Sequence, residues 1–420
     1  MSAAMQPMPW WCAPEGVALG FLLPVVFIIA MVGDLSAPAL TIRGIRFLSP
    51  TYIALGAVLV LLIALGGWFG GRLGARGALP KNDAGWDRAA GVVGVIAMLA
   101  YLFWFRDYLL NPALMLRIVL GSFRPDRSDI ELTPGLTSLA NIAPVFFSIY
   151  AYRALLSRGA PFSRRIHVLC GVLVAFTAFR VYAWSERLAL IEAVVPFGLA
   201  AGGRLMRNQG RLAGLLRALG PYLLLPGVIF YFGLAEYSRS WASDTYSGKT
   251  GFWEFALGRF ASYYYTSLNN GAGMLATTDW PTFKFEFVLG WLHRAPLGVG
   301  PAFTRLTDMH SWVAPEFLVR YADLEFNNPS GLYAVIVDLG LPLGMLYTLL
   351  IAGAAGMAFR AYRQGLLVGV LSYPVFFLTF LEIFRYPYLG SPRAFTYFAG
   401  IFIALLLAHT RAGTRNPEAN

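Results

Sequence analysis

The residues best suited to chemistry in this chain are arginines, placed where a membrane protein ordinarily avoids them. Arg180, Arg187, Arg239, Arg259, Arg294, Arg385 and Arg393 flank or enter apolar stretches. Carboxylates lie near several of them: Glu192 follows Arg187, Glu236 precedes Arg239, and Glu382 precedes Arg385. A guanidinium presents a planar fork of donors that matches phosphate or carboxylate oxygens. Arginines gathered at one place therefore imply a bound anion. In a water-poor groove they also stabilise charge that develops on it during a reaction. A carboxylate or histidine within reach of a hydroxyl supplies general-base chemistry. Glu236, Glu192 and His293 are the candidates, with Glu236 preferred for its place beside Arg239. No metal or other cofactor is expected. Cys12 lies in the N-terminal tail and Cys170 inside an apolar stretch, so neither a disulfide framework nor a cysteine metal site is supported. The usual ligand clusters for hard or borderline cations are also missing.

The elements that must position these residues are membrane-spanning helices. Of the 420 residues, 57% are hydrophobic and 13% charged, against roughly 25% charged in soluble proteins. Mean hydropathy is +0.59. The formal net charge of +11 would suggest nucleic acid as the partner of a soluble protein. Here most of the excess lies in short loops beside apolar spans, where anionic headgroups are the usual partner. Membrane lipids are expected as partners, and nucleic acid is not. An apolar helix needs roughly 17–25 residues to cross. Ten segments qualify or nearly so: 15–33, 51–71, 89–110, 135–156, 166–184, 187–203, 218–235, 331–357, 366–384 and 394–410. The first lacks a basic leader and a small-residue cleavage site, and reads as a retained span. The expected fold is an all-α integral membrane bundle of about ten transmembrane helices, one polytopic domain over 1–420.

Orientation follows from Lys and Arg in the short loops. Arg72, Arg76, Lys81 and Arg88 crowd one loop; Arg153, Arg158, Arg164 and Arg165 another; Arg204, Arg207, Arg211 and Arg217 a third. Arg360 and Arg363 mark a fourth, and Arg411 and Arg415 the C-terminus. With ten spans all five groups share one side, which supports the count. Both termini are then cytoplasmic, and 236–330 is a long exoplasmic loop. The first-named arginines fall on the exoplasmic side, against the positive-inside bias. A bound anion accounts for that, and a lipid-linked diphosphate fits best.

The long loop carries Tyr263, Tyr264 and Tyr265, then Asn269 and Asn270, and ends near Asn327 and Asn328. Aromatic faces with Asn, Glu and Arg edges suit sugar rings; an interfacial aromatic belt is the plainer reading. The stretch 283–295 reads as a short amphipathic helix containing Trp291, His293 and Arg294. Arg180 and Glu192 lie about a turn below the surface on adjoining spans, where charges are functional by default. A structural Arg180–Glu192 ion pair is the plainer alternative, with Ser185 capping the second helix. Asp338, alone inside an apolar span, is expected to neutralise an arginine from another span.

Several of these stretches resemble motifs of bacterial oligosaccharide repeat-unit polymerases, the Wzy-type O-antigen and capsule polymerases. They are Ser185-Glu186-Arg187-Leu188-Ala189-Leu190-Ile191-Glu192, Glu236-Tyr237-Ser238-Arg239-Ser240, Tyr263-Tyr264-Tyr265-Thr266-Ser267-Leu268-Asn269-Asn270, Asn328-Pro329-Ser330-Gly331-Leu332-Tyr333 and Ser391-Pro392-Arg393-Ala394-Phe395. The resemblance covers roughly 110–400. It implies a GT-C-like, metal-independent glycosyltransferase that joins undecaprenyl-diphosphate-linked repeat units at the periplasmic face of the bacterial inner membrane. The product would be O-antigen, capsular or exopolysaccharide. A flippase and a chain-length regulator are the protein partners it would bring. In that setting Arg180, Arg187, Arg385 and Arg393 are the expected diphosphate clamp. Arg239 and Arg259 would hold a second lipid head, with Tyr263, Asn270 and Asn328 lining the substrate path. Two rivals remain. An O-antigen ligase shares the layout and differs in acceptor. A transporter of lipid-linked sugar would show internal repeats and charges near the midplane, and neither is evident in this sequence.

Overall fold

The computed structural model describes residues 5–40, 45–73, 83–123, 125, 133, 135–157, 162–184, 186–236, 251–322 and 326–409; at 32–40, 83, 84 and 235 it describes the backbone alone. No strand occurs among the described residues. The helices are α1 (Pro14–Val17), α2 (Leu23–Leu40), α3 (Pro50–Leu73), α4 (Asp83–Trp104), α5 (Arg106–Leu109), α6 (Pro112–Val119), α7 (Ala143–Leu155), α8 (Arg164–Trp184) and α9 (Arg187–Leu205). They continue with α10 (Arg211–Glu236), α11 (Phe252–Thr277), α12 (Gly290–His293), α13 (Val299–Leu306), α14 (Val313–Tyr321), α15 (Gly331–Gln364), α16 (Leu367–Leu381) and α17 (Pro392–His409). A π turn over Ala18–Leu22 joins α1 to α2.

Among the described residues, eight segments are long and apolar enough to cross a membrane. They are Pro14–Met31, α3, Gly85–Trp104, α8, α9, Arg211–Leu234, α15 and α17. The other two expected spans are shorter: α16, and α7 preceded by a 3-10 turn over Thr137–Ile142. The chain is an all-α polytopic membrane protein. Helices suit it because lipid offers no partner to a backbone N–H or C=O, so each segment must bond its own. The lipid-facing sides are apolar, as at Leu61, Leu65 and Phe69 of α3. Between helices, small residues let backbones touch. α3 lies on α15 so closely that a Cβ on Gly70 would overlap the carbonyl of Gly353.

Hydrogen bonds fix which helix ends lie together. At one end Gln6 bonds Arg363, Arg207 reaches Gln6 and the carbonyl of Leu156, and Arg360 bonds the carbonyls of Gly71 and Arg72. This is the basic end. At the other, Asn269 holds the 45–48 segment, Arg180 meets Asn141, and Arg393 meets Glu186. Of the arginines singled out in sequence, Arg180, Arg187, Arg259, Arg385 and Arg393 gather at this second end, with residues of 251–322 and 326–330.

That region is more ordered than a loop. α11 is 26 residues long, and runs alongside α10 in the same direction. Phe252 meets Phe230, Ala256 meets Gly233, and Arg259 meets Glu236. Its polar residues tolerate burial because they bond locally. Thr266 donates to the Ser262 carbonyl, Ser267 to that of Tyr263, and Thr277 to that of Gly273.

Two expectations are corrected here. Helix occurs in 283–295 only at Gly290–His293. Phe283 and Phe285 adopt φ of 50° and 55°, which no helix permits. The amides of Glu286, Phe287 and Val288 point instead to Asp338, at 3.1, 2.7 and 3.0 Å. Asp338 therefore meets backbone amides rather than an arginine. It sits just before a break in α15 at Gly340, where φ is 75°. A second buried carboxylate, Glu286, accepts from the amides of Val313 and Ala314 at 2.6 and 3.0 Å and so starts α14. Trp291 stacks on Phe395 at 4.6 Å and ties this layer to α17.

Candidate functional site

Two charge centres occupy the end of the bundle where the arginines gather. The first is built on Glu236, the last residue of α10, only 3% exposed. Its Oε1 accepts from Arg187 and its Oε2 from Arg259 at 2.9 Å. Arg187 begins α9 and Glu236 ends α10, so each sits at the helix end its charge disfavours, by roughly 0.3–1 kcal/mol. Mutual pairing offsets that penalty. Arg187 also lies over the Phe232 ring at 4.3 Å, and Arg259 over that of Phe326 at 4.4 Å.

Arg385 comes from the turn after α16. Its Nε donates to Asn328 Oδ1 and its Nη1 to Glu382, both at 3.3 Å. The Asn328-Pro329-Ser330-Gly331 stretch makes this possible. Ser330 N donates to the Arg385 carbonyl at 3.1 Å. A Cβ on Gly331 would lie 2.6 Å from the Tyr386 carbonyl carbon, so only glycine fits. Asn270, buried in α11, donates to the carbonyls of Phe326 and Asn328, both at 3.0 Å. It holds that stretch in place from behind.

Arg187, Arg259, Arg385, Glu236, Tyr263 and Asn328 thus line one cavity of about 60 Å³, with Phe232, Phe326 and Asn327. It admits only a few waters. Its more exposed walls are Arg187 and Arg385, 20% and 34% exposed, whereas Arg259 is 6% exposed. The cavity shares Arg187, Phe232, Tyr263 and Arg385 with an apolar groove of about 480 Å³. Leu190, Val194, Leu224 and Val228 line the groove along α9 and α10.

The second centre is Arg180, Glu186, Arg393 and Glu192. Arg180, 2% exposed, grips Glu186 with Nε at 2.5 Å and Nη2 at 2.9 Å. Its Nη1 donates to Asn141 at 3.1 Å, and Trp104 stacks on it at 4.3 Å. Arg393 meets the same Glu186 and approaches Glu192 at 3.6 Å. Tyr388 donates to Glu192 at 2.8 Å. The plainer alternative, an Arg180–Glu192 pair, is replaced by Arg180–Glu186, because Glu192 turns toward α17.

The charges decide what each centre can do. The cavity is lined by three guanidiniums and the carboxylate of Glu236, and Glu382 pairs with Arg385 at its edge, so three cations meet two acids. The second centre has two against two, Arg180 and Arg393 against Glu186 and Glu192. Among the described residues, cations outnumber acids at the first centre and match them at the second. Glu382 stands at the boundary.

Of the residues picked from sequence, Arg187, Arg259, Arg385, Glu236, Tyr263 and Asn328 come together, with Asn270 behind them. Arg180, Arg393 and Glu192 form the neighbouring centre. His293 lies apart in the 281–322 layer, with Nε2 on the Lys284 carbonyl at 2.8 Å and Nδ1 on Thr304 at 3.1 Å. Both ring nitrogens are therefore engaged. Arg294 packs over Trp312. Arg239 and Ser185 lie outside the described residues. Sequence reasoning gave no role to Glu186 or Glu382. The spacing of Glu382 three before Arg385 was the available signal, since such a pair meets on one helical face. A scan against protein-family models and searches of curated proteins and of solved structures each return no match.

Proposed function

We propose that the protein is a glycosyltransferase that uses a lipid-linked diphosphate sugar donor, and that it polymerises undecaprenyl-linked repeat units. One observation carries the reading. A cavity with three guanidiniums and one carboxylate opens onto an apolar groove of about 480 Å³ beside it. A ligand that satisfies both has an anionic head and a long apolar tail. Positive-inside bias supports a cytoplasmic basic end, and the reading takes the cavity to face the periplasm from a bacterial inner membrane.

In this reading Arg187 and Arg385 swing onto the entering diphosphate. An acceptor hydroxyl oxygen attacks the anomeric carbon of the donor sugar as the bond to diphosphate breaks. Lipid diphosphate leaves with the electron pair, and the arginines stabilise the charge it gains. The hydroxyl proton passes to Glu236, whose Oε1 is released when Arg187 leaves it. Arg259 keeps the other oxygen and holds the carboxylate in place. Arg180 and Arg393 serve as a brace that ties α8, α9 and α17 together.

The test is reconstitution of the purified protein in lipid bilayers, with undecaprenyl-diphosphate-linked repeat units as the only sugar source. A ladder of products on a gel supports the reading. Transfer only after a lipid A core acceptor is added would assign a ligase instead, and movement of substrate without new glycosidic bonds would assign a transporter.

A further inference from the structure

A second cavity lies in the layer over the bundle, between the segment after α11 and helix α14. Its volume is about 500 Å³, inside the roughly 300–1,000 Å³ range of small-ligand sites. Its chemistry is unlike that of the arginine cavity. Asp279 and Lys284 line one wall, and Glu316 and Arg320, paired with each other at 2.8 Å on α14, line the other: two acids and two bases. The side chains of Asp279 and Lys284 make no hydrogen bond or ion pair among the described residues. Hydroxyls from Thr278 and Ser311 add groups that both donate and accept. Phe317 and Tyr321, packed together at 5.3 Å, give one wall an aromatic surface.

The walls are held rigidly from below. Thr282 N donates to the Val337 carbonyl and Phe283 N to that of Asp338, both at 2.9 Å. Asp338 and Glu286, the two buried carboxylates described above, fix the segments on either side. Ordinary loops carry no such buried acids, since burying a charge without partners is costly. A fixed, open cleft of mixed polarity is what the arrangement maintains.

We infer that this cleft is a carbohydrate subsite, binding an uncharged, hydroxyl-rich stretch of glycan. Its balanced charge gives no preference for phosphate. Vicinal hydroxyls suit Asp279 as acceptor and Lys284 as donor, the exposed Glu316–Arg320 pair offers its remaining oxygen and N–H groups, and sugar C–H faces suit Tyr321. A peptide would need an open strand edge or an apolar groove, and the cleft has neither. Assigning the ligand as glycan rests on the transferase reading above; in that setting the cleft holds the chain being extended, outside the arginine cavity.

The experiment uses the full chain in lipid nanodiscs. Two probes are titrated separately: glycan released by mild acid from the envelope of cells that make the protein, and inorganic pyrophosphate. Asp279→Ala and Glu316→Ala change exposed side chains, so the fold persists. The inference expects each to weaken glycan binding about tenfold, with pyrophosphate binding unchanged. Equal glycan binding by wild type and both variants overturns the subsite. So does pyrophosphate binding with no glycan binding at all, which leaves the transferase reading standing. Glycan binding that depends on Asp279 and Glu316, without any pyrophosphate binding, supports the cleft and counts against the diphosphate site.

Discussion

Arg187 and Arg180 look interchangeable in sequence, seven positions apart beside the same turn, yet the structure gives them opposite duties. Arg187→Ala should injure ligand binding and spare the fold. Glu236 keeps its 2.9 Å contact to Arg259, so no buried charge is stranded. An arriving phosphate loses one charge-assisted hydrogen-bonding group, worth about 1.5–3 kcal/mol. At 1.4 kcal/mol per decade that is roughly a ten- to hundredfold loss of affinity. Arg187→Lys should fall between, since lysine keeps the charge and loses the fork.

Arg180→Ala should do the reverse. It removes both bonds to Glu186 and the bond to Asn141, and leaves Glu186 buried with Arg393 alone. Arg180 is 2% exposed and loses three hydrogen bonds, two of them to a charged partner and worth about 1.5–3 kcal/mol each, whereas Arg187, 20% exposed, loses one. The fraction that remains folded should bind normally. The assay has two halves on the same samples: thermal unfolding in detergent, and titration with pyrophosphate corrected for folded protein. If folded Arg180→Ala loses pyrophosphate while Arg187→Ala retains it, the division into an anion site and a brace is wrong.

The remaining predictions concern the base and the overlying layer. Glu236→Gln keeps shape but removes the base, and should slow transfer roughly 10²–10⁴-fold; a wild-type product ladder would move the role to another group. Asp338→Ala orphans three buried amides, and each lost partner costs about 1–3 kcal/mol. Limited proteolysis should then cut within 281–289, while the transmembrane core stays intact. Glu286 gives a pH dependence: burial outweighs the amides of Val313 and Ala314 and lifts its carboxyl from 4.5 to about 7. The folded state therefore holds this proton more tightly than the unfolded state. That stabilisation is complete below 4.5 and fades as pH rises toward 7. Hydrogen exchange at Val313 and Ala314, corrected for intrinsic rate, should show protection falling over this window, and Glu286→Gln should flatten the profile. An unchanged slope in Glu286→Gln assigns it to another group.

The spans were legible because twenty-residue apolar runs carry their own signal. Eight of the ten apolar segments hold helices long enough to cross, and the other two hold the shorter α7 and α16. α11 was not legible as a helix, because Arg259, Ser262, Thr266, Asn269 and Asn270 lower its hydropathy below that of a span. Its helicity depends on polar partners supplied by other segments, such as Ile45 and Phe326. The irregular path of 281–289 depends likewise on Asp338, some fifty positions away, which no local pattern announces.

For the site, the residue types were legible and their grouping was not. Sequence placed Arg180, Arg187, Arg385 and Arg393 in one set because all lie near turns at the same end. The pairings that divide them run over long separations, from Arg187 to Glu236 and from Arg393 to Glu186. Glu186 and Arg187 are adjacent, so proximity in sequence would pair Glu186 with either arginine. Geometry separates them. Successive side chains around a helix start diverge by about 100°. Arg187, the first residue of α9, turns toward α10 and Glu236, while Glu186 before it turns toward α8 and α17. One peptide bond thus marks the border between the balanced centre and the cationic one. A residue inserted between them should therefore disturb both, releasing Arg180 from its partner and turning Arg187 away from Glu236. An insertion after Leu205, at the far end of the same helix, should disturb neither.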